Sequence, residues 1–320
     1  MTTYNVYQRE TLDQTPVQIA TGLTSKNYAV SGLTKGKKYL FSIGAVKSGL
    51  EKISGEKLVL AGIEWTPLLI SPAFLLDDES NFTLEGNLVT LWGSRSSSYF
   101  FGQSTQSYKP LLVNNGLNER KIIRFDGVND ILFNNTSALR SVTSNKQYIS
   151  FFAVVKRNSG NGVLSAITNN SGGSRFTIGM SSTALNTYAR RLDADSESSR
   201  SKSVAGGWLM IFQKIDFSTR TLETHINGLL VESVSSFVTS GSTSNTLSDR
   251  PLSIGGFPNG TGDNPASGAN LGIDLASYFL LNNSILQSDI DKCFGYAAHK
   301  YGLTNNLPTD HPYKTLIPTV

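Results

Sequence analysis

One cysteine in 320 residues excludes an intrachain disulfide framework, so packing and hydrogen bonding must hold this chain together. That residue, Cys293, occupies an apolar position of a predicted helix and reads as a small core residue. Charge is sparse as well: Asp, Glu, Lys and Arg make up 16%, and the net charge is +4. Acidic and basic residues interleave, as in Arg190, Arg191, Asp193, Asp195, Glu197 and Arg200. The concentrated basic face that nucleic-acid binding needs is therefore missing. No run of about 18 apolar residues is long enough to span a bilayer. The opening stretch MTTYNVYQRE lacks the apolar centre of a secretory leader. These absences imply a soluble chain, cytoplasmic or carried outside as part of a particle. The three histidines, His225, His299 and His311, share no metal-ligand spacing and have no cysteine partner. No G-x-S-x-G elbow offers a serine nucleophile. Ser171-Gly172-Gly173 and Gly255-Gly256 do not open helices, so neither is a phosphate loop.

Ser, Thr, Asn and 29 glycines fill the space that charge leaves, the palette of strands joined by turns. Hydrophobic residues, at 39%, suffice for real cores, and the length suggests two domains. In TYNVYQRE, Tyr4, Val6 and Gln8 alternate with Asn5, Tyr7 and Arg9, the period of a strand. YISFFAVVKR is apolar on both faces and predicts a central strand buried on two sides. TLETHINGLLVESV predicts a hairpin, since Asn227-Gly228 suits a type I′ turn. Residues 121–133, KIIRFDGVNDILF, read as two short strands reversing at Gly127. The pattern predicts one clear helix, over 284–301. Ser288 is its N-cap, Ile290, Cys293, Phe294, Ala297 and Tyr301 form its apolar stripe, and Gly302 closes it.

Two families are resembled. RFDGVND resembles the FDG-x-[ND]-D element of concanavalin A-like, laminin-G-like jelly rolls of bacterial and phage proteins. The lead-in SPAFLLDDES and the tail AHKYGLTNNLPTDHPYK repeat that resemblance, in the same order as in the family. Residues 62–320 are thereby identified as a jelly roll with one C-terminal helix. Residues 1–61 resemble the later strands of a fibronectin type III module, through YNVYQRE and SGLTKGKKYLFSIGAV. That resemblance implies that Leu33 is buried and that the Tyr39 hydroxyl ties back to upstream backbone. The first two strands of such a module are missing, which implies an uncovered apolar face completed by a neighbour.

The implied fold is all-β, a partial fibronectin type III-like module followed by a β-sandwich. Glucanases share the sandwich, but their E-x-D-x-x-E strand is absent, and Asp193, Asp195 and Glu197 have the wrong spacing. In the family a turn after the strand tryptophan helps hold calcium. Here Arg95 follows Trp92 in that turn, which argues against a metal, and no cofactor is expected. What remains is binding. The loop 256–265 offers Phe257, Asn259, Asp263 and Asn264, an aromatic face with polar partners suited to a sugar. Tyr188 and Arg190 form a second candidate. The resemblances imply a non-enzymatic phage or prophage virion protein of tail, fibre or capsid surface. Its jelly roll would bind host-surface glycans, and its first module would dock other virion proteins, as part of an oligomer. A purely structural decoration protein, a bacterial surface adhesin and a glycan hydrolase are the alternatives.

Overall fold

The computed structural model describes residues 2–25, 27–168, 173–248, 250–259, 265–266 and 268–320. They form an antiparallel β protein with one long helix near the C-terminal end. The chain divides into two compact units, Met1–Thr66 with Pro312–Val320, and Pro67–His311. The expected boundary at 61/62 thus moves to 66/67, and the final stretch returns to the first unit. Backbone bonds fix that return: Ile317 N–H donates to Gly36 O and Trp65 N–H to Pro318 O.

The first unit is a five-stranded sheet. Strand Thr3–Arg9 lies between Val17–Leu23 and Lys38–Lys47. The far edge of Lys38–Lys47 is shared by Leu50–Ile53 and Lys57–Leu60. The predicted alternation of Thr3–Arg9 holds. Asn5 and Tyr7 share a polar face, where both bond the Glu51 carboxylate. Tyr4 and Val6 join Phe41, Ile43 and Val59 in an apolar trough that stays open, with Ile43 50% exposed. The Tyr39 hydroxyl accepts the Thr34 N–H at 3.0 Å, whereas Leu33 is half-buried rather than buried.

The second unit is a sandwich. Its back sheet runs in the order Phe82–Glu85, Leu88–Gly93, Leu111–Leu117, Arg120–Asp126, Gly272–Leu281, Tyr148–Ser159, Trp208–Asp216, Thr221–Ile226 and Leu229–Val234. Its front sheet runs Phe100–Gly102, Leu132–Asn134, Leu252–Ile254, Gly162–Thr168, Ser174–Met180, Ala184–Ala189 and Ser198–Ser203. Between them Phe74, Trp92, Phe101, Phe125, Phe151, Phe176 and Tyr278 build one apolar core. Tyr148–Ser159 is central, as its two apolar faces predict. Phe151 faces the core, while Phe152 stacks on Phe279 and meets Phe294 of the helix edge-on, 5.5 Å between centroids.

Three local features refine the sequence reading. Asn227 and Gly228 both have positive φ, as a type I′ turn requires. The segment 121–133 is not a hairpin. Arg120–Asp126 pairs within the back sheet and Leu132–Asn134 within the front sheet, so the turn carries the chain from one layer to the other. Alternation reports which face a side chain takes and is blind to which strand lies alongside. Gly127 has φ +80, and a Cβ there would lie 2.7 Å from Gly272 N. The helix spans Gln287–Lys300, shorter than expected, and its N-cap is Leu286 rather than Ser288, with no side-chain cap bond. Its predicted stripe is buried, and Gly302, at φ +68, closes it, with Leu303 N–H donating to Ala298 O. No helix among the described residues is long and apolar enough to cross a membrane.

Candidate functional site

The carboxylates most easily mistaken for catalysts are counterions. Asp193 binds Arg175 through two bonds of 2.8 and 2.7 Å. Burial pushes its pKa up, but Arg175 and Thr246 hold it below the usual carboxylate value. Asp195 accepts from Thr239 Oγ1 and Leu192 N, and Glu197 from Ser174 N and Arg190. His225 is buried against Phe212 and Phe294, and burial holds its pKa below the usual histidine value.

The turn after Trp92 carries a cation of its own. Arg95 binds Asp77 at 2.7 Å and Glu79 at 2.8 Å. The buried Lys300 ammonium lies 3.0, 2.8 and 3.0 Å from Asp77, Asp78 and Glu79, and Arg120 adds a bond to Asp78. Burial opposes the charge on Lys300, yet Asp77, Tyr296 and Asp78 together hold its pKa above the usual lysine value. Three protein cations thus satisfy three carboxylates. Among the described residues no cluster of His, Cys, Asp and Glu is arranged for a metal.

The expected binding residues fall in different places. Asp263 and Asn264 lie outside the described residues. Phe257 is half-buried, its ring 5.6 Å from the Arg250 guanidinium, which also donates to Pro258 O. Asn259 follows on the same segment. The outward face of the front sheet beside this segment is covered: Ser253 is buried and its hydroxyl donates to Gly256 O. Tyr188 points outward, opposite the buried Thr187 and Ala189, and pairs with Thr177. Arg190 instead reaches the loop end of the sandwich, where Nε donates to Ser174 O.

A groove that the sequence reading missed lies where Phe100–Gly102 pairs with Leu88–Gly93 on one side and Leu132–Asn134 on the other. Its volume is about 390 Å³, and its apolar floor is lined by Leu91, Phe100 and Phe133. Strand pairing explains the floor. Phe133 and Leu91 are both set against Gly102, where the Leu91 side chain fills the place a Cβ would take, while Phe101 and Leu132 point into the core. Phe100 is 47% exposed. Thr90, Ser104 and Asn135 form the rim, and Gln103 and Asn134 the wall. The wall is rigid. Asn134 donates to Phe100 O and accepts from Thr136 N and Oγ1. Gln103 accepts from Thr105 N, and its Nε2 is buried without a partner among the described residues. An apolar floor ringed by an amide and two hydroxyls matches one face of a pyranose, whose C–H patches are bordered by hydroxyl groups.

No family model matches this sequence, and no curated protein matches it. Solved structures do. A Trypanosoma rangeli sialidase in complex with sialic acid is 12% identical at a TM-score of 0.50, over 87% of this chain and 45% of that one. The binding domain of botulinum neurotoxin DC in complex with rat synaptotagmin II is 13% identical at 0.42, over 70% and 51%. The Ruminococcus gnavus IT-sialidase CBM40 bound to α2,3-sialyllactose is 12% identical at 0.41, over 52% and 92%. The chain thus spans about half the length of the sialidase and of the neurotoxin binding domain. At such identities the likeness concerns the fold alone, a β-sandwich.

Proposed function

We propose that this chain is a non-enzymatic saccharide-binding protein whose sandwich holds a sugar face on Phe100 and Phe133. One observation carries the reading: Leu91, Phe100 and Phe133 line a groove beside the polar side chains of Thr90, Ser104 and Asn135. Stacking on the rings would supply most of the affinity, and the Asn135 amide and rim hydroxyls would select among sugar epimers. The carboxylates considered for glycan hydrolysis are engaged with arginine or with backbone N–H groups, which supports binding over cleavage.

The setting we propose is a phage or prophage particle, where the chain would contact host-surface glycans. This rests on the RFDGVND and AHKYGLTNNLPTDHPYK resemblances and on the fibronectin type III-like character of the first unit. The open apolar trough beside Tyr4, Phe41 and Ile43 supports docking of that unit to another virion protein. A second reading is a structural decoration protein without a ligand.

Binding of the purified chain to a glycan array and to intact bacterial cells tests the proposal, with Phe133→Ala as control. Saturable binding to one polysaccharide, lost in Phe133→Ala and indifferent to chelator, is the expected result. A folded protein that binds nothing would leave the decoration reading.

A further inference from the structure

A second cavity, of about 300 Å³, opens at the loop end of the sandwich, apart from the phenylalanine groove. Arginines from two loops line it: Arg190 and Arg191 follow strand Ala184–Ala189, and Arg220 sits in the turn between Trp208–Asp216 and Thr221–Ile226. Asp195 is the one carboxylate in its lining among the described residues. The three arginines outnumber that carboxylate, so the lining carries net positive charge.

The three arginines are not equivalent. Arg190 is spent on the protein, donating to Ser174 O, Asp195 O and Glu197 Oε2. Arg191 is partly spent, with Nε on Thr239 Oγ1 and 3.8 Å from Asp195 Oδ2, and Nη1 on Ser242 O. Arg220 uses only Nε, which donates to Val238 O at 3.0 Å, and both of its Nη groups lack a partner among the described residues. The backbone of Arg220 is left-handed, at φ 65, a conformation that favours glycine and costs a larger residue free energy. The turn is fixed by Asp216 Oδ1, which accepts from Ser218 N and Thr219 N. A strained turn therefore presents a guanidinium anchored by one nitrogen, with its two terminal nitrogens available.

A guanidinium edge of that kind pairs with a carboxylate through two parallel hydrogen bonds. The hydroxyls of Ser196, Ser198 and Ser236 line the same cavity and suit the hydroxyls of a sugar ring. We propose that this cavity binds the carboxylate of an acidic sugar, a uronic or a sialic acid. Arg220 is its bidentate partner and Arg191 supplies the second charge. The site is separate from the phenylalanine groove and stands or falls independently of it.

Calorimetric titration of the full chain with sodium glucuronate, N-acetylneuraminate, methyl glucoside and sodium acetate tests the assignment. One or both sugar acids bind saturably, and the tighter one identifies the source of the carboxylate, while methyl glucoside and acetate do not saturate in the same range. Arg220→Gln weakens the sugar acid by about tenfold or more, as loss of a bidentate charged pair requires. Arg220→Gly, which accepts the left-handed backbone, loses binding while its circular dichroism stays that of the folded protein. Phe133→Ala keeps sugar-acid binding, so failure of the groove and failure of this cavity are distinguishable. Saturation by neither sugar acid, acetate binding as tightly as they do, or unchanged affinity in Arg220→Gln would overturn the proposal.

Discussion

Single side chains carry unequal burdens in this protein, and Lys300 carries one of the largest. Its side chain is 3% exposed and faces three carboxylates, so removing it leaves the buried Asp77 and Asp78 with only Arg95 and Arg120 to offset their charge. Lys300→Met is expected to cost about 3–5 kcal/mol, read as a fall in the urea midpoint. Asp130 predicts a pH dependence. Burial, and then the charge of Asp126, push its pKa up to about 7. Because the folded value lies above the unfolded one, the contribution of Asp130 to stability is complete below about pH 4 and is lost as pH rises through about 7. Asp130→Asn should therefore gain stability over the parent at pH 8 and little at pH 4, a comparison of denaturant midpoints. Residue-scale roles were the least legible in the sequence. The sequence placed Arg95 in the turn after Trp92 but did not show that it pairs with Asp77 and Glu79. Arg220 was not readable, since Ser218-Thr219-Arg220 contains no glycine to announce a left-handed turn. Phe100 and Phe133 come to line one groove through the pairing of Phe133 with Gly102, a contact between two three-residue strands too short to show a period.

Elements were read more securely, and the reason is periodicity. Tyr148–Ser159 declared two buried faces, and it lies between Gly272–Leu281 and Trp208–Asp216 with the helix across one of them. The stripe on Gln287–Lys300 was equally plain, yet Ser288 misled as a cap because the helix begins one residue before it. Strand partners were hidden, and the turn after Asp126 shows the cost. Its Asp126 Oδ1 accepts from Val128 N and Asn129 N, and its Gly127 approaches Gly272 too closely for a side chain. Gly127→Ala is expected to lose about 2 kcal/mol or more, from the positive φ and the backbone approach together. Chemical denaturation measures it, and an unchanged midpoint would show that this corner relaxes freely.

At the scale of the whole molecule, the two units were legible as a change of motif, but the return of 312–320 to the first unit was not. HPYK belongs to a tail motif that resembles a jelly-roll ending, and no local signal marks where its chain goes next. Deleting residues 312–320 removes the partners of Gly36, Ile63 and Trp65, so it should lower the unfolding temperature of the first unit. The sandwich should keep its own transition and its saccharide binding, and a calorimetric scan resolves the two. The same return has a mechanical meaning. A load applied between residues 2 and 320 runs through Val320 N–H to Ile63 O and Ile317 N–H to Gly36 O, so the small sheet is the stressed link. The sandwich is inserted in the chain between Thr66 and Pro312, outside that line of bonds. A pulled molecule would keep the sandwich folded until the clasp ruptures, and would then pay it out as a second, later extension.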